Sequence, residues 1–400
     1  MNVCMFARSL PAHSMGGMEL HIETLSKELV KNGIKVTIIT TLNPLGIEYE
    51  NMSGVKIHYL KGTVPGKYQW GYYKQSAAMF MELHKKEKFD LIHSQSAGAY
   101  QILKNRINTQ LNIPVIISLH GTSIDEIKTK LRLGFDLRSM LSLIKNLCNY
   151  IFLDRRFLQM CDTIIATSDS QVNTIAKYYG IAMNKLRLVY NGIDDELFVP
   201  NSLTDVMTQK LNIKPDDKVI VAVARLKKEK GIQNIISVLP MIKEKVPSVK
   251  LIVGGTGEYR KMLEKMAVRL GVSDRVVFLG RIEYKDLPDI LNCSKIFVNS
   301  TIRENGYDLT IPQSMACGKP VVSSNVRSVF TVIENGKNGY IYERSNMNEL
   351  KSIIIKLLLN ETLQNEIGLL ARKTVEDKLS LRSMAKNTID VYKSVLEKRK

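Results

Sequence analysis

Short apolar runs rich in Val and Ile alternate with longer stretches in which apolar residues return every three or four positions, and the alternation continues through most of the chain. The first kind of run reads as a buried strand, the second as one face of an amphipathic helix. Residues 1–7 form the first strand. Leu20, Ile22, Leu25, Leu29 and Val30 then mark a helix that closes at Asn32-Gly33, and residues 36–40 form the next strand. Strands are expected again over 55–60, 89–93, 114–119, 163–166 and 186–189, with helices over 72–86, 97–107 and 171–179. After Phe198-Val199-Pro200 comes a polar stretch, 199–217, with few signals of either kind, which reads as a linker. A second alternating set follows, with strands over 219–224, 249–253, 276–279 and 296–299 and helices from 232, over 259–270 and over 285–292. The pattern predicts an α/β chain of two Rossmann-like domains, 1–198 and 218–380, facing each other across a cleft. Their ligands would lie beyond the carboxyl ends of the strands. A last helix within 381–400 is placed to cross back and brace the first domain.

Composition changes this picture little. With 400 residues, 44% hydrophobic and 24% charged, the chain suits a soluble enzyme of two ordinary domains. A formal charge of +18 calls for an anionic partner, whether phosphate of a small ligand, nucleic acid or acidic lipid. Residues 1–198 carry only +6 of it, so the second half is the more basic. Nucleic acid fits poorly, because the basic residues are not interleaved with a stacking aromatic face. Cys4, Cys148, Cys161, Cys293 and Cys317 are odd in number and never spaced Cys-x-x-Cys, which argues against a disulfide framework and a zinc site and for a reducing cytoplasm. No run of eighteen apolar residues occurs. Residues 125–160 differ in texture: Leu131, Met140, Leu141, Ile144, Leu147 and Ile151 are mixed with Lys128, Lys130, Arg132, Arg138, Lys145, Arg155 and Arg156. Such a basic amphipathic segment suits both a peripheral contact with acidic membrane and helices packed on a sheet with a solvated cationic side.

Candidate chemistry gathers where strands end. Residues 295–324 read strand, polar loop, helix and strand, the unit in which a loop and helix start present free N–H groups to an anion, with Glu304 in the loop. Gly16 and Gly17 open the first helix and allow close backbone approach. His120, followed by Gly121-Thr122, stands at a strand's carboxyl end, placed to donate a hydrogen bond to substrate or to take part in proton transfer. His13, in the first loop, is a weaker candidate; the other histidines, His21 and His93 among them, read as structural. In the string ARLKKEKG, Arg225 closes a strand and Lys230 precedes the next helix. A tight loop would turn both toward phosphate oxygens, Arg as a fork and Lys as a point charge. Gly255 and Glu258, in GGTGE, end the following strand.

Taken together, GGMELHIETLSKELVKNG, SLHGT, VYNGID, VARLKKEKG, LIVGGTGE, RVVFLGR and the 295–324 stretch resemble the retaining nucleotide-sugar glycosyltransferases of family 4. The motifs run in the family's order from residue 16 to about residue 345. The resemblance implies the GT-B arrangement, a nucleotide diphosphate sugar held by the second domain and a glycan or lipid-linked acceptor held by the first. It assigns Gly16 and Gly17 to the diphosphate or acceptor, Arg225 and Lys230 to the diphosphate, and His120 to the transferred sugar. It also assigns a donor-binding set of Gly255, Glu258, Asp308, Leu309, Thr310 and Gln313. The family has two glutamates separated by seven residues. Here Gln313 replaces the second and Asn305 holds the spacing of the first, with Glu304 one position earlier. Transfer would keep the anomeric configuration through a front-face return in which the leaving phosphate accepts the acceptor's proton. No Asp-x-Asp occurs, so a metal-held diphosphate is not expected. Two other readings stand beside this one: an epimerase or phosphorylase of the same architecture, and a weakly catalytic sugar-nucleotide-binding subunit suggested by Gln313.

Overall fold

The computed structural model describes all residues except 134–136, 203–207, 210, 304–307 and 399–400. It divides into two compact units: residues 1–192 with 381–400, and residues 193–380.

Unit one is built on an eight-stranded sheet: β1 (Asn2–Phe6), β2 (Lys35–Thr40), β3 (Tyr49–Met52), β4 (Val55–Tyr59), β5 (Leu91–Gln95), β6 (Val115–Ser118), β7 (Thr163–Ala166) and β8 (Leu186–Leu188), in the order β3-β4-β2-β1-β5-β6-β7-β8. Every pairing is parallel except the β3–β4 hairpin. Val3, Met5, Ile38, Ile92, Ile116 and Ile164 are fully buried, as a parallel sheet covered on both faces requires. Helices α1 (Gly17–Lys31), α2 (Trp70–Lys86), α3 (Ser123–Leu133), α4 (Leu137–Asn149), α5 (Arg155–Met160) and α6 (Asp169–Tyr179) belong to this unit.

Unit two carries a six-stranded sheet, wholly parallel: β9 (Lys218–Val223), β10 (Val249–Gly254), β11 (Val276–Gly280), β12 (Ile296–Asn299), β13 (Val321–Ser324) and β14 (Tyr340–Tyr342), ordered β11-β10-β9-β12-β13-β14. Its helices include α7 (Ile232–Lys245), α8 (Arg260–Arg269), α9 (Thr310–Ala316), α10 (Met347–Leu359) and α11 (Glu361–Thr374).

The last helix, α12 (Leu381–Glu397), belongs to unit one. Met384, Thr388, Val391, Tyr392 and Val395 recur on one face and are buried, and all but Thr388 share one apolar cluster with Ile22, Leu25 and Leu29 of α1. At roughly 1.5–3 kcal/mol for each large apolar side chain buried, this face is a sufficient anchor.

The domain limits shift at one point. The described residues among 193–217 are part of unit two, not the end of unit one (193–198) followed by a linker (199–217). The reason is that Arg372 donates to the carbonyls of Asp195 (3.0 Å) and Phe198 (2.6 Å), the Phe198 ring packs on Tyr284, and the Asn201 N–H donates to Asn292.

In each sheet the strand order reverses once, between β1 and β5 in unit one and between β9 and β12 in unit two. At such a switch point the connections leave in opposite directions, opening a crevice beyond the carboxyl ends.

Candidate functional site

In unit two the residues read from sequence collect at that switch point. Arg225 follows β9 and is exposed, with no ion pair among the described residues. Five positions on, Lys230 is only 5% exposed and forms an ion pair with Asp308, whose other carboxylate oxygen accepts from the Asn299 amide at 3.0 Å. Burial alone would raise the Asp308 pKa. The Lys230 ammonium and the Asn299 amide outweigh it and hold the carboxyl below its usual value. Lys230 therefore stands against a carboxylate 78 residues away, where the sequence suggested a cation open to a ligand.

Two glycines make the tight loops possible. Gly231 has φ +71°, and a Cβ there would lie 1.9 Å from the Ser300 carbonyl oxygen; Gly255 has φ +120°, with the Ala224 carbonyl oxygen at the same distance. Neither position admits a side chain. Loop 255–258 is clasped to the Arg225 loop, the Leu226 N–H donating to Thr256 O and the Tyr259 N–H to Leu226 O, and Glu258 at its end is exposed. Thr310 opens α9 and its hydroxyl reaches the Val223 carbonyl at the end of β9, beside Leu309 and Asp308. Gln313 is buried in α9, 3% exposed, its backbone N–H donating to Leu309 O, and its side-chain amide bonds to no other described residue. Glu304 and Asn305 lie outside the described residues.

In unit one Gly16 is the N-cap of α1, extended at φ −154°, and Gly17 its first residue. A carboxylate already sits at this helix start: Glu19 is buried, accepts from the Ser9 hydroxyl at 2.5 Å, and its oxygen would lie 2.6 Å from a Cβ on Gly16. His13 proves a structural ring, since its Nδ1 accepts from the Leu10 N–H while Nε2 meets Thr41, tying the loops after β1 and β2 together.

His120 heads a buried polar chain. Its Nε2–H donates to the Gln95 Oε1 at 2.7 Å. Gln95 presents its Nε2 to the Nε2 of His93 at 3.4 Å, so that nitrogen accepts and the Nδ1–H of His93 donates to the Tyr392 hydroxyl at 2.7 Å. Ser118 completes the environment of His93 at 2.8 Å. The α12 helix thus reaches His120 through two side chains. His21, from the second turn of α1, stands edge-on to the His120 ring at 4.9 Å, with both ring nitrogens buried and unpartnered.

Burial holds all three rings neutral. His21 is lowered to about 4; His93, also beside His21, to about 3; and His120 well below the ordinary value by burial, His21, His93 and Arg8. Because its Nε2–H is engaged by Gln95, His120 offers an accepting Nδ1, which suits the proton-transfer role read from sequence rather than the donor role read beside it. Sequence reading missed Arg8, His21 and Gln95. His21 was visible as an apolar-face histidine of α1, but its partner lies 99 positions away.

Two family models match. One described as Glycosyltransferase Family 4 covers residues 15–197, and one described as Glycosyl transferases group 1 covers residues 204–374. Among curated relatives, an uncharacterized glycosyltransferase of Methanocaldococcus jannaschii is 27% identical over 99% of both chains. The N-acetyl-alpha-D-glucosaminyl L-malate synthase of Bacillus anthracis is 25% identical over 96% of this chain and 95% of its own. The alpha-monoglucosyldiacylglycerol synthase of Streptococcus pneumoniae is 26% identical over 88% and 77%. Among solved structures, sucrose-phosphate synthase from Thermosynechococcus elongatus superposes over 100% of both chains with a TM-score of 0.80 at 19% identity. Anabaena HepE in complex with UDP-glucose does so over 98% of this chain and all of its own, with a TM-score of 0.70 at 19% identity. These matches lend nothing to the epimerase, phosphorylase or weak-subunit readings. With two α/β domains of the GT-B class and both family models matching in order, the chain is a glycosyltransferase and belongs to family 4.

Proposed function

We propose that the chain moves a sugar from a nucleoside diphosphate sugar to an acceptor hydroxyl with retention at the anomeric carbon. The observation that carries this is the set at the β9–β12 switch point: exposed Arg225, the Lys230–Asp308–Asn299 cluster and two loops that only glycine permits. In the transition state negative charge grows on the leaving diphosphate while positive charge grows at the anomeric carbon. Preorganised cations on the phosphate side then stabilise the transition state more than the ground state. Arg225 supplies a fork. Lys230 supplies a charge whose position is fixed by Asp308 before any ligand arrives. The acceptor hydroxyl loses its proton to a leaving phosphate oxygen, so no side chain serves as nucleophile and no metal is needed for charge neutralisation. UDP-glucose bound to HepE supports a nucleotide-sugar donor of this kind.

The acceptor is assigned to unit one, where Gly16, Gly17 and the neutral, accepting Nδ1 of His120 are available to hydroxyl groups. A glycan or lipid-borne acceptor is favoured, because relatives named for glucosyldiacylglycerol and phosphatidylinositol glycosylation match over most of the chain. None of the described helices is long and apolar enough to cross a membrane. On the lipid-acceptor reading, the enzyme meets its acceptor at the membrane surface. The test is release of nucleoside diphosphate that depends on acceptor. Donor binding with no acceptor-dependent release would refute the proposal.

A further inference from the structure

Helix α4 is turned the wrong way round for a soluble protein. Met140, Ile144, Leu147 and Ile151 follow one another at intervals of four, three and four, a single line along the helix and the π-helical turn Tyr150–Asp154 that continues it. All four face water, at 48%, 54%, 49% and 47% exposure, with Leu141 beside them at 62%. The opposite side is the more covered one, and it is largely polar: Ser142 accepts from Lys130, Asn146 has a buried amide nitrogen, and Asn149 is half-buried. Tyr150 anchors that side, packing on Tyr179 and donating to the Tyr178 carbonyl at 2.5 Å. A helix normally hides its apolar line. A contiguous apolar strip left in water marks a surface built to meet something.

The charges around the strip select the partner. Lys145, Arg155 and Arg156 are exposed beside it. The one acid between residues 140 and 156, Asp154, turns inward and accepts from the Ser123 hydroxyl at 2.6 Å. Lys128 and Lys130, suggested by sequence as contributors, are engaged inside the unit, Lys128 over the Tyr178 ring and Lys130 with Ser142. The exposed charge of this face is therefore wholly positive. A second copy of the chain, docking by the same face about a two-fold axis, would set these cations against their own kind. An apolar line flanked by lysine and arginine instead matches the boundary between acyl chains and anionic headgroups.

We propose that the outward face of α4 and of the turn that leads into α5, from Met140 to Arg156, is a docking surface for an anionic lipid bilayer. The inference deepens the lipid-acceptor reading above and rests on it for its purpose, but not for its test, which needs neither donor nor acceptor.

Cys148 lies on this face and is the one exposed cysteine, the other four being buried, so a polarity-sensitive dye can be placed there on the full-length chain. With vesicles of phosphatidylcholine and phosphatidylglycerol the dye should shift to the blue, and the shift should fade as salt is raised above about 0.1 M, where exposed charges are screened over about 10 Å. Vesicles of phosphatidylcholine alone should leave it nearly unchanged. Replacing Lys145, Arg155 and Arg156 by Ala should weaken binding on the order of a hundredfold, from about fivefold for each basic residue at an acidic surface. Ile144→Asp with Leu147→Asp should abolish it. Pelleting of the unlabelled chain with the same vesicles guards against an effect of the dye. The proposal is overturned if the anionic vesicles leave dye and pelleting unchanged, if neutral vesicles bind equally well, or if sedimentation shows a dimer that the two aspartates dissolve. Loss of vesicle binding with transfer to a soluble acceptor intact would leave the proposed reaction standing. The converse result would leave the docking surface standing.

Discussion

Lowering the pH from 8 to 5 should weaken unit one through its buried histidines. In the unfolded chain a histidine takes up its proton near 6.5. In the folded unit His21 does so only at about 4 and His93 at about 3, because burial penalises the charged ring. Between 6.5 and 4 the unfolded state binds protons that the folded state refuses. The stability these rings contribute is thus complete above about 6.5 and lost as the pH falls. At pH 5 the gap is about 1.5 pH units, or about 2 kcal/mol for each ring at 1.36 kcal/mol per unit. His21 and His93 together give about 4 kcal/mol, and His120 acts in the same direction. Against a usual total of roughly 5–15 kcal/mol this is a large fraction. The single tryptophan, Trp70, falls in unit one and serves as its reporter. With a urea slope of about 2–3 kcal/mol per M, the fluorescence midpoint should drop by about 1–2 M. His93→Gln keeps an amide for Tyr392 and Ser118 but does not titrate, so it should remove about half of the drop given by His21 and His93. An unchanged midpoint at pH 5, or the full drop in the variant, would refute the neutral buried rings.

Two substitutions address unit two. Lys230→Ala should lower turnover by on the order of a hundredfold to a thousandfold, the range for losing one preorganised donor. It should also destabilise the unit, since Asp308 loses its cation, and adding Asp308→Asn should restore the fold without the activity; normal turnover in Lys230→Ala would remove this residue from the site. Gln313→Glu should tighten nucleotide-sugar binding, because a carboxylate accepts hydrogen bonds roughly twice as strong as those of a neutral amide. An unchanged donor Kd, read by calorimetry, would make Gln313 a packing residue of α9.

The strands were legible because buried parallel strands are written as uninterrupted apolar runs, as in β1, β9 and β10. Two were not. In β3 the run Tyr49-Glu50-Asn51-Met52 is half polar and lies at a sheet edge, and β14 is three residues long. The 199–217 stretch looked like a linker, and 193–198 like the end of the first domain, because what binds them, Asn292 and Arg372, is distant in sequence. The same limit governs the sites. The strand ends announced His120, Arg225 and Lys230, but the Lys230–Asp308 pair and the His21–His120 contact join segments 78 and 99 positions apart, a separation no local pattern encodes. For α4, periodicity showed an amphipathic helix without saying which face looks outward. Only packing decides that.

The proposed reaction is measured most directly as nucleoside diphosphate release from a panel of nucleotide sugars, with and without acceptor. Release should occur with one donor class and rise when a hydroxyl-bearing glycan or glycolipid acceptor is added. The glycosidic product should keep the donor's anomeric configuration by NMR, and chelator should not diminish the rate. Acceptor-independent release, an inverted product, or a rate abolished by chelator and restored by a divalent metal would contradict it.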